Sequence, residues 1–406
     1  MDALPQPHLP MQRRLPPYLG PLLALMVLHT TAIGSLLAPP IFAVVAVADV
    51  GLSIEWIGAY TLLVYGAAIM SAVLGGGLTS KVGPIRTSQY CLLLIGGGVS
   101  LLASANLWLI ALGSLAIGIG YGPLTPAGSD LLKHVTPPRL QPVIFSIKQT
   151  AIPAGGAIAG ATIPTLVYLA GWRGTALLLG ASCIGLALLA ESPRARLDGV
   201  QPRASDRAFM GWGSLRLLFN NPGYLWLGVA SLCFAVAQGV LFTYLVPYLS
   251  EGLGMTLVVA GAVLAAAQLG GVAGRVLWGA LATLLNSSTP VLVGLGVAMA
   301  AAAAGTALFT PHWPLAAIIA VSVLFGMTAV GWNGVFLAEV ALVAPPGGVG
   351  ALTGAMSSLA YLGVMVGPPV FGLLLTVTEG YVTGFVMVAL VTLAGSAILF
   401  SAPAKA

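Results

Sequence analysis

Apolar runs long enough to cross a bilayer, about 20 residues each, recur along this chain from Pro17 to the C-terminus. Twelve can be placed, centred near residues 30, 67, 96, 118, 157, 181, 235, 268, 299, 326, 363 and 391. A backbone in lipid must satisfy its own hydrogen bonds, which leaves helices or closed barrels; runs of this length are helical. The spacing predicts an all-α integral membrane protein with twelve transmembrane helices. Only 6% of residues are charged, against about 25% in a soluble domain, so a soluble globular fold is excluded. The 53 glycines suit helices that approach closely through small residues. Cys91, Cys183 and Cys233 all fall inside spans and read as small buried hydrophobes, not as disulfide partners or metal ligands.

Charge distribution orients the chain. With the N-terminus in the cytoplasm, 12 of the 15 Lys and Arg fall on one side: Arg13, Arg14, Lys81, Arg86, Lys133, Arg139, Arg194, Arg196, Arg203, Arg207, Arg216 and Lys405. Arg173 alone falls in an opposite loop. The positive-inside rule then puts both termini in the cytoplasm of a cell with this protein in its inner membrane. The longest polar stretch, 191–221, reads as a cytoplasmic linker with a surface helix. It divides the chain into a tail (1–17), a six-helix bundle (18–190), the linker (191–221), a second six-helix bundle (222–402) and a short tail (403–406).

Two cations remain inside spans: Lys148, in Gln141–Gly171, and Arg275, in the run GGVAGRVLWG. A charge at such depth is expensive and usually faces a cavity or a partner. At 1.5 Å per residue each lies roughly 10 Å from the cytoplasmic end of its span. The ten acids (Asp2, Asp49, Glu55, Asp130, Glu191, Asp198, Asp206, Glu251, Glu339 and Glu379) all map to termini, loops or span ends. With no deep carboxylate to neutralise them, two cations facing one cavity would bind an anion. Arg would grip it bidentately and Lys act as a point charge. The alternative is that each side chain snorkels to the interface.

The halves echo each other. Gly122, Asp130 and Pro137 match Gly331, Glu339 and Pro346 at equal spacing, and GGGLTSKVG after the second span is similar to WGALATLLN after the eighth. Gly171-Trp172-Arg173-Gly174 is similar to the Gly380–Gly384 turn. Parallel repeats of six spans with a site between them are a transporter plan. On these motifs the chain resembles the major facilitator superfamily over nearly its whole length. The signature after the second span reads Gly76-Gly77-Leu78-Thr79-Ser80-Lys81-Val82-Gly83-Pro84-Ile85-Arg86, with Ser80 where the family carries an acid that helps hold the cytoplasmic gate shut. Gly279-Ala280-Leu281-Ala282-Thr283 lacks the acid too. Asp130, Glu191 and Glu339, bridging to Lys81, Arg86 or Arg139, are the substitutes for this latch; the alternative is ordinary interfacial charge. Pro153-Ala154-Gly155-Gly156 and Gly367-Pro368-Pro369 resemble the family's kinked fifth and eleventh spans.

The resemblance implies two pseudo-symmetric six-helix bundles, with the fifth and eighth spans facing each other, so that Lys148 and Arg275 would reach one cavity. Small-anion members are similar in using an eighth-span arginine; the second-span arginine of nitrate transporters is absent, its place being about Ala72. His29, Thr30, Tyr65, Tyr121, Gln149, Gln238, Tyr244, Gln268, Asn333, Ser357 and Tyr361 are further candidates to line the cavity, each also open to a packing role. His29 is the one histidine within a span and the side-chain candidate for carrying H+.

The expectation is a monomeric secondary transporter of a small organic anion, in outline a monocarboxylate, working by alternating access. It needs a lipid bilayer, no cofactor, no metal and no nucleic acid. The alternative is a multidrug or metabolite efflux transporter of the same superfamily, although drug-proton antiporters of cations generally need a membrane acid. A membrane sensor is disfavoured by the lack of a sizeable soluble domain, and an enzyme by the lack of a catalytic set at a plausible depth.

Overall fold

The computed structural model describes residues 16–74, 79, 81–198, 218–219, 221–345 and 349–401. Among these, the ordered elements are helical: α1 (Leu19–Val50), α2 (Ile57–Leu74), α3 (Pro84–Leu102), α4 (Leu107–Val135), α5 (Gln141–Gln149), α6 (Ala151–Leu189), α7 (Glu191–Asp198), α8 (Pro222–Pro247), α9 (Leu257–Leu284), α10 (Thr289–Ala307), α11 (Leu315–Ala329), α12 (Asn333–Val343), α13 (Val349–Thr378) and α14 (Tyr381–Ser401), with short 3-10 and π turns between some of them. The signature residues 75–78 and Ser80 lie outside the described residues. So do Arg13, Arg14, Arg203, Arg207, Arg216, Pro346 and Lys405.

Among the described residues, eleven stretches are long and apolar enough to span, and one of them, Val143–Leu189, is 47 residues long. It is two spans. Within α6, Gly171 adopts φ 67 and ψ 168, a backbone conformation open to glycine, and the chain reverses there. Among the described residues the count is therefore twelve, as the apolar runs predict. The tenth span is also discontinuous: α11 stops at Ala329 and α12 starts at Asn333, leaving Val330–Trp332 as a break at mid-depth. The loop face that carries the 191–221 connection is called here the linker face, and the opposite one the far face.

The two bundles repeat one packing scheme. In the first, α3 packs on α4, α2 on α4, and α3 and α1 on α6; in the second, α10 packs on α11, α9 on α11, α10 on α14 and α8 on α13. The repeat glycines show the correspondence. A Cβ at Gly122 would strike Ser71 and the Ala68 carbonyl of α2, and one at Gly331 would strike the Met327 carbonyl and, at 3.0 Å, Trp278 of α9. Each closes the fourth span of its half onto the second.

Between the halves, α6 lies along α9, α13 along α2, and α1 along α8. The contact is tightest towards the far face. A Cβ at Gly160 would sit 2.6 Å from the Gly261 carbonyl oxygen and 2.9 Å from the Ala265 nitrogen, so two backbones touch there. Nearby, Thr61 and Thr243 share a hydrogen bond of 3.2 Å, and the Tyr244 hydroxyl donates to the Glu55 carbonyl at 3.1 Å. The far side of the seam is closed. At the far face of the first half, Asp49 accepts from Trp172 Nε1 at 2.9 Å and lies 3.8 Å from Arg173, fixing α1 to the start of the sixth span.

Candidate functional site

At the middle of the seam stands Arg275. It is partly buried, and its donors reach both halves: Nη1 donates to the Gln149 carbonyl at 2.8 Å and Nε to the Val330 carbonyl at 3.3 Å. Both acceptors are carbonyls freed by a helix end. Gln149 closes α5 before the join to α6, and Val330 lies in the break of the tenth span, where no residue one turn further on continues the ladder. Trp278, one turn along α9, donates Nε1 to the Met327 carbonyl at 2.8 Å. The eighth span therefore caps the broken tenth. A guanidinium has five N–H donors; two are committed here, which leaves three.

Three tyrosines close the centre. Tyr65 of α2, Tyr121 of α4 and Tyr361 of α13 have ring centroids 6.0, 6.3 and 6.5 Å apart. The Tyr121 hydroxyl interacts electrostatically with Tyr361 and with the Arg275 guanidinium. Two of the rings come from the first half and one from the second, so the triangle straddles the seam. On the second half, Asn333 Nδ2 donates to Gln238 Oε1 at 3.2 Å, at the start of α12 beside the same break.

Gln268 is seven residues before Arg275 on α9, hence on the same face and about 10 Å nearer the far side. It is 0% exposed, and neither amide atom has a hydrogen-bond partner. A Cβ at Gly156 would meet its amide nitrogen, so the side chain is wedged against α6. Leaving such a group unpaired costs about 1–3 kcal/mol.

Lys148 does not join Arg275 as the depth argument expects. Its Nζ, in a side chain 1% exposed, turns into the first half and donates to the Thr125 carbonyl at 2.7 Å and to Ser129 Oγ at 3.0 Å. Snorkelling does not describe it either, because both partners lie on α4 in the protein interior. His29 is also interior, 2% exposed, and its ring nitrogens lie 2.8 Å from the Leu25 carbonyl and 3.1 Å from that of Leu124. Thr30 donates to the Ala151 carbonyl at 3.4 Å. The Gln149 and Ser357 side chains are half-buried.

Of the latch candidates, Arg86 and Glu191 meet within the first half. Arg86 pairs with Glu191 at 2.8 Å, and Gln89 donates to the same carboxylate at 3.0 Å; this ties the end of the sixth span to the start of the third. The Gln89 hydrogen bond, with the Arg194 and Arg86 charges, holds the Glu191 carboxyl below its ordinary range. Asp130 lies 3.8 Å from His134 one turn along α4. Glu339 is only 3% exposed, which departs from an interfacial charge, and accepts from Thr289 at 3.2 Å. Lys81 and Arg139 are exposed.

Asp198 was not among the expected site residues. Its carboxylate accepts from the Ile85 amide at 2.8 Å and the Arg86 amide at 3.3 Å, capping α3 from the end of α7. Burial pushes this carboxyl up, opposed by those two amides and by Arg194 and Arg86. The signal was present: α3 opens with Gly83-Pro84 and has no side-chain cap of its own, so its free amides call for an outside acceptor.

The backbone arrangement is that of known carriers. A bacterial homologue of the human lysosomal transporter Spinster, solved in an inward-facing and occupied conformation, superposes with a TM-score of 0.77 over 95% of this chain and 97% of that one, at 17% identity. An uncharacterized MFS-type transporter of Mycobacterium tuberculosis is 28% identical over 279 residues, 66% of this chain and 59% of the relative. A probable sulfoacetate transporter of Cupriavidus necator is 27% identical over 284 residues, 64% of each. The chain thus spans about three fifths of the length of the curated relatives it matches. The family model described as Major Facilitator Superfamily matches residues 22–368, from the first span into the eleventh, and the chain belongs to that superfamily.

Proposed function

We propose that this protein is a secondary transporter that moves a small organic anion across the inner membrane by alternating access. The anion is held at Arg275 between the two halves. The observation that carries this reading is the guanidinium itself: it bridges Gln149 and Val330 across the seam with three donors left over. Its two hydrogen-bond partners are both carbonyls, and the Tyr121 hydroxyl interacts with it electrostatically. An anion that accepts from the free edge of the fork and from tyrosine hydroxyls completes the set. Gln268, with both amide atoms unsatisfied, is placed to meet the substrate as the seam opens. Lys148, bonded inside the first half, lies behind this site and makes no direct contact with the anion. The relative named for sulfoacetate supports a short acid with a carboxylate or sulfonate head.

The 191–221 linker, which opens with the gate residue Glu191, lies in the cytoplasm by the positive-inside rule. The test of topology is a single cysteine. Ser104→Cys, at the far face, is expected to react with an impermeant maleimide added outside intact cells, the native cysteines being buried; labelling only after permeabilisation would reverse the orientation.

Purified protein in proteoliposomes should accumulate at least one of sulfoacetate, oxalate and lactate, and not tetraphenylphosphonium or ethidium. Accumulation of the cations alone would replace this reading with drug efflux.

A further inference from the structure

The buried histidine and the buried lysine of the first half are neighbours. Both pack against Gly128 of α4, where a Cβ would sit 2.9 Å from His29 Cε1 and 3.2 Å from Lys148 Cε. Their hydrogen-bond partners are unusual in being acceptors throughout. His29 Nδ1 is 2.8 Å from the Leu25 carbonyl and Nε2 is 3.1 Å from the Leu124 carbonyl. A neutral imidazole carries one N–H and can satisfy only one carbonyl; the ring protonated on both nitrogens satisfies both. Lys148 Nζ meets two acceptors, the Thr125 carbonyl and Ser129 Oγ, because the Ser129 hydroxyl spends its own hydrogen on the Thr125 carbonyl at 3.0 Å. Two N–H groups fill those two places, and a neutral amine has two.

The hydrogen bonds are therefore complete with one positive charge between the two side chains, carried by the imidazole. Moving that proton to the amine leaves a third N–H idle and sets a ring lone pair against a carbonyl oxygen. Two charges at once repel at short range in a poorly screened interior. Of the other charged groups on the elements packed here, Lys133 of α4 is exposed. Asp130, next to Ser129 on α4, has its carboxylate 3.8 Å from His134 at the half-exposed helix end. Among the described residues, Arg275 of α9 reaches this region through the Gln149 carbonyl, on the residue after Lys148.

We propose that His29 and Lys148 form a carboxylate-free proton-binding site that holds one exchangeable proton between them. The proton is taken from water and returned to water, with no other bond made or broken. Its coupling to transport rests on the anion site at Arg275: an anion arriving there lowers the positive potential around Lys148 and Gln149 and favours the protonated pair, so proton and anion travel together.

The proton site can be tested without substrate. His8, His134 and His312 are replaced by Gln, and the protein, labelled with 15N-histidine, is titrated in lipid nanodiscs from acid to alkaline pH. The His29 ring nitrogens are expected to pass from the doubly protonated to the neutral form within this range. In Lys148→Gln, whose amide can make the same two donations, the midpoint should rise by about one pH unit or more as the amine no longer competes for the shared proton. A ring that stays neutral at every pH in both proteins, or a midpoint unmoved by Lys148→Gln, overturns the proposal. Coupling has its own readout: an inward proton gradient should accelerate sulfoacetate uptake in the parent and have no effect in His29→Gln, and acceleration in His29→Gln overturns the coupling. If the parent binds no sulfoacetate, the anion reading fails while the nitrogen titration still decides the proton site.

Discussion

Arg275→Ala abolishes uptake of the anion. Removing one partner of a buried, hydrogen-bonded charge pair costs about 2–5 kcal/mol, so affinity should fall by roughly thirtyfold to several thousandfold at 1.4 kcal/mol per decade. The change also takes a donor from two carbonyls, which adds a structural part to the loss, and Arg275→Lys separates the causes. Lysine keeps the charge but has three donors and no planar fork; it cannot cap both carbonyls and grip an anion bidentately. The expected order of affinity is wild type, then Arg275→Lys, then Arg275→Ala, with the Lys variant extracted from the membrane in normal amount. The measurement is binding of labelled sulfoacetate to purified protein. Equal affinity in all three would remove Arg275 from the site.

The second large effect is expected far from the charge, at Gly160→Val. Nothing larger than hydrogen fits where the Gly160 and Gly261 backbones cross, so valine must push the halves apart on the far side. Overpacking costs about 1–3 kcal/mol, which shifts a two-state balance by roughly 5- to 150-fold against the far-closed form. Each half keeps its own packing. A reporter cysteine at Thr243, 2% exposed and bonded across the seam to Thr61, should then react faster with an impermeant maleimide added to the far face, while uptake collapses. Unchanged labelling together with full uptake would mean that this crossing plays no part in closing the far side.

The helices were legible because lipid leaves the backbone so few options: hydropathy alone located spans whose centres lie close to those in the structure. The breaks were less legible. Gly171 lies in a turn that the loop pattern marked, but the interruption at Val330–Trp332 has no proline, and it depends on donors from another helix. The site was half readable. Depth along a helix fixes the height of a side chain and says nothing of its azimuth. Lys148 and Arg275 were therefore placed at matching levels, yet Lys148 faces α4 and Arg275 faces the seam. One residue on, about 100° around the helix, the Gln149 carbonyl is what Arg275 touches. The pairing of Arg86 with Glu191 was among the options, but only the structure shows both on one half.

The break in the tenth span has an electrical meaning. A continuous helix presents its partial charges at the membrane surfaces; one cut at mid-depth presents two ends inside. The α11 C-terminus, equivalent to roughly half a negative charge, points its Met327 and Val330 carbonyls at Trp278 and Arg275. The guanidinium is thus partly neutralised by peptide dipoles instead of a carboxylate. Because these dipoles carry no titratable proton, the partial neutralisation they supply does not change with pH, and the proposed anion would meet a guanidinium of reduced net charge.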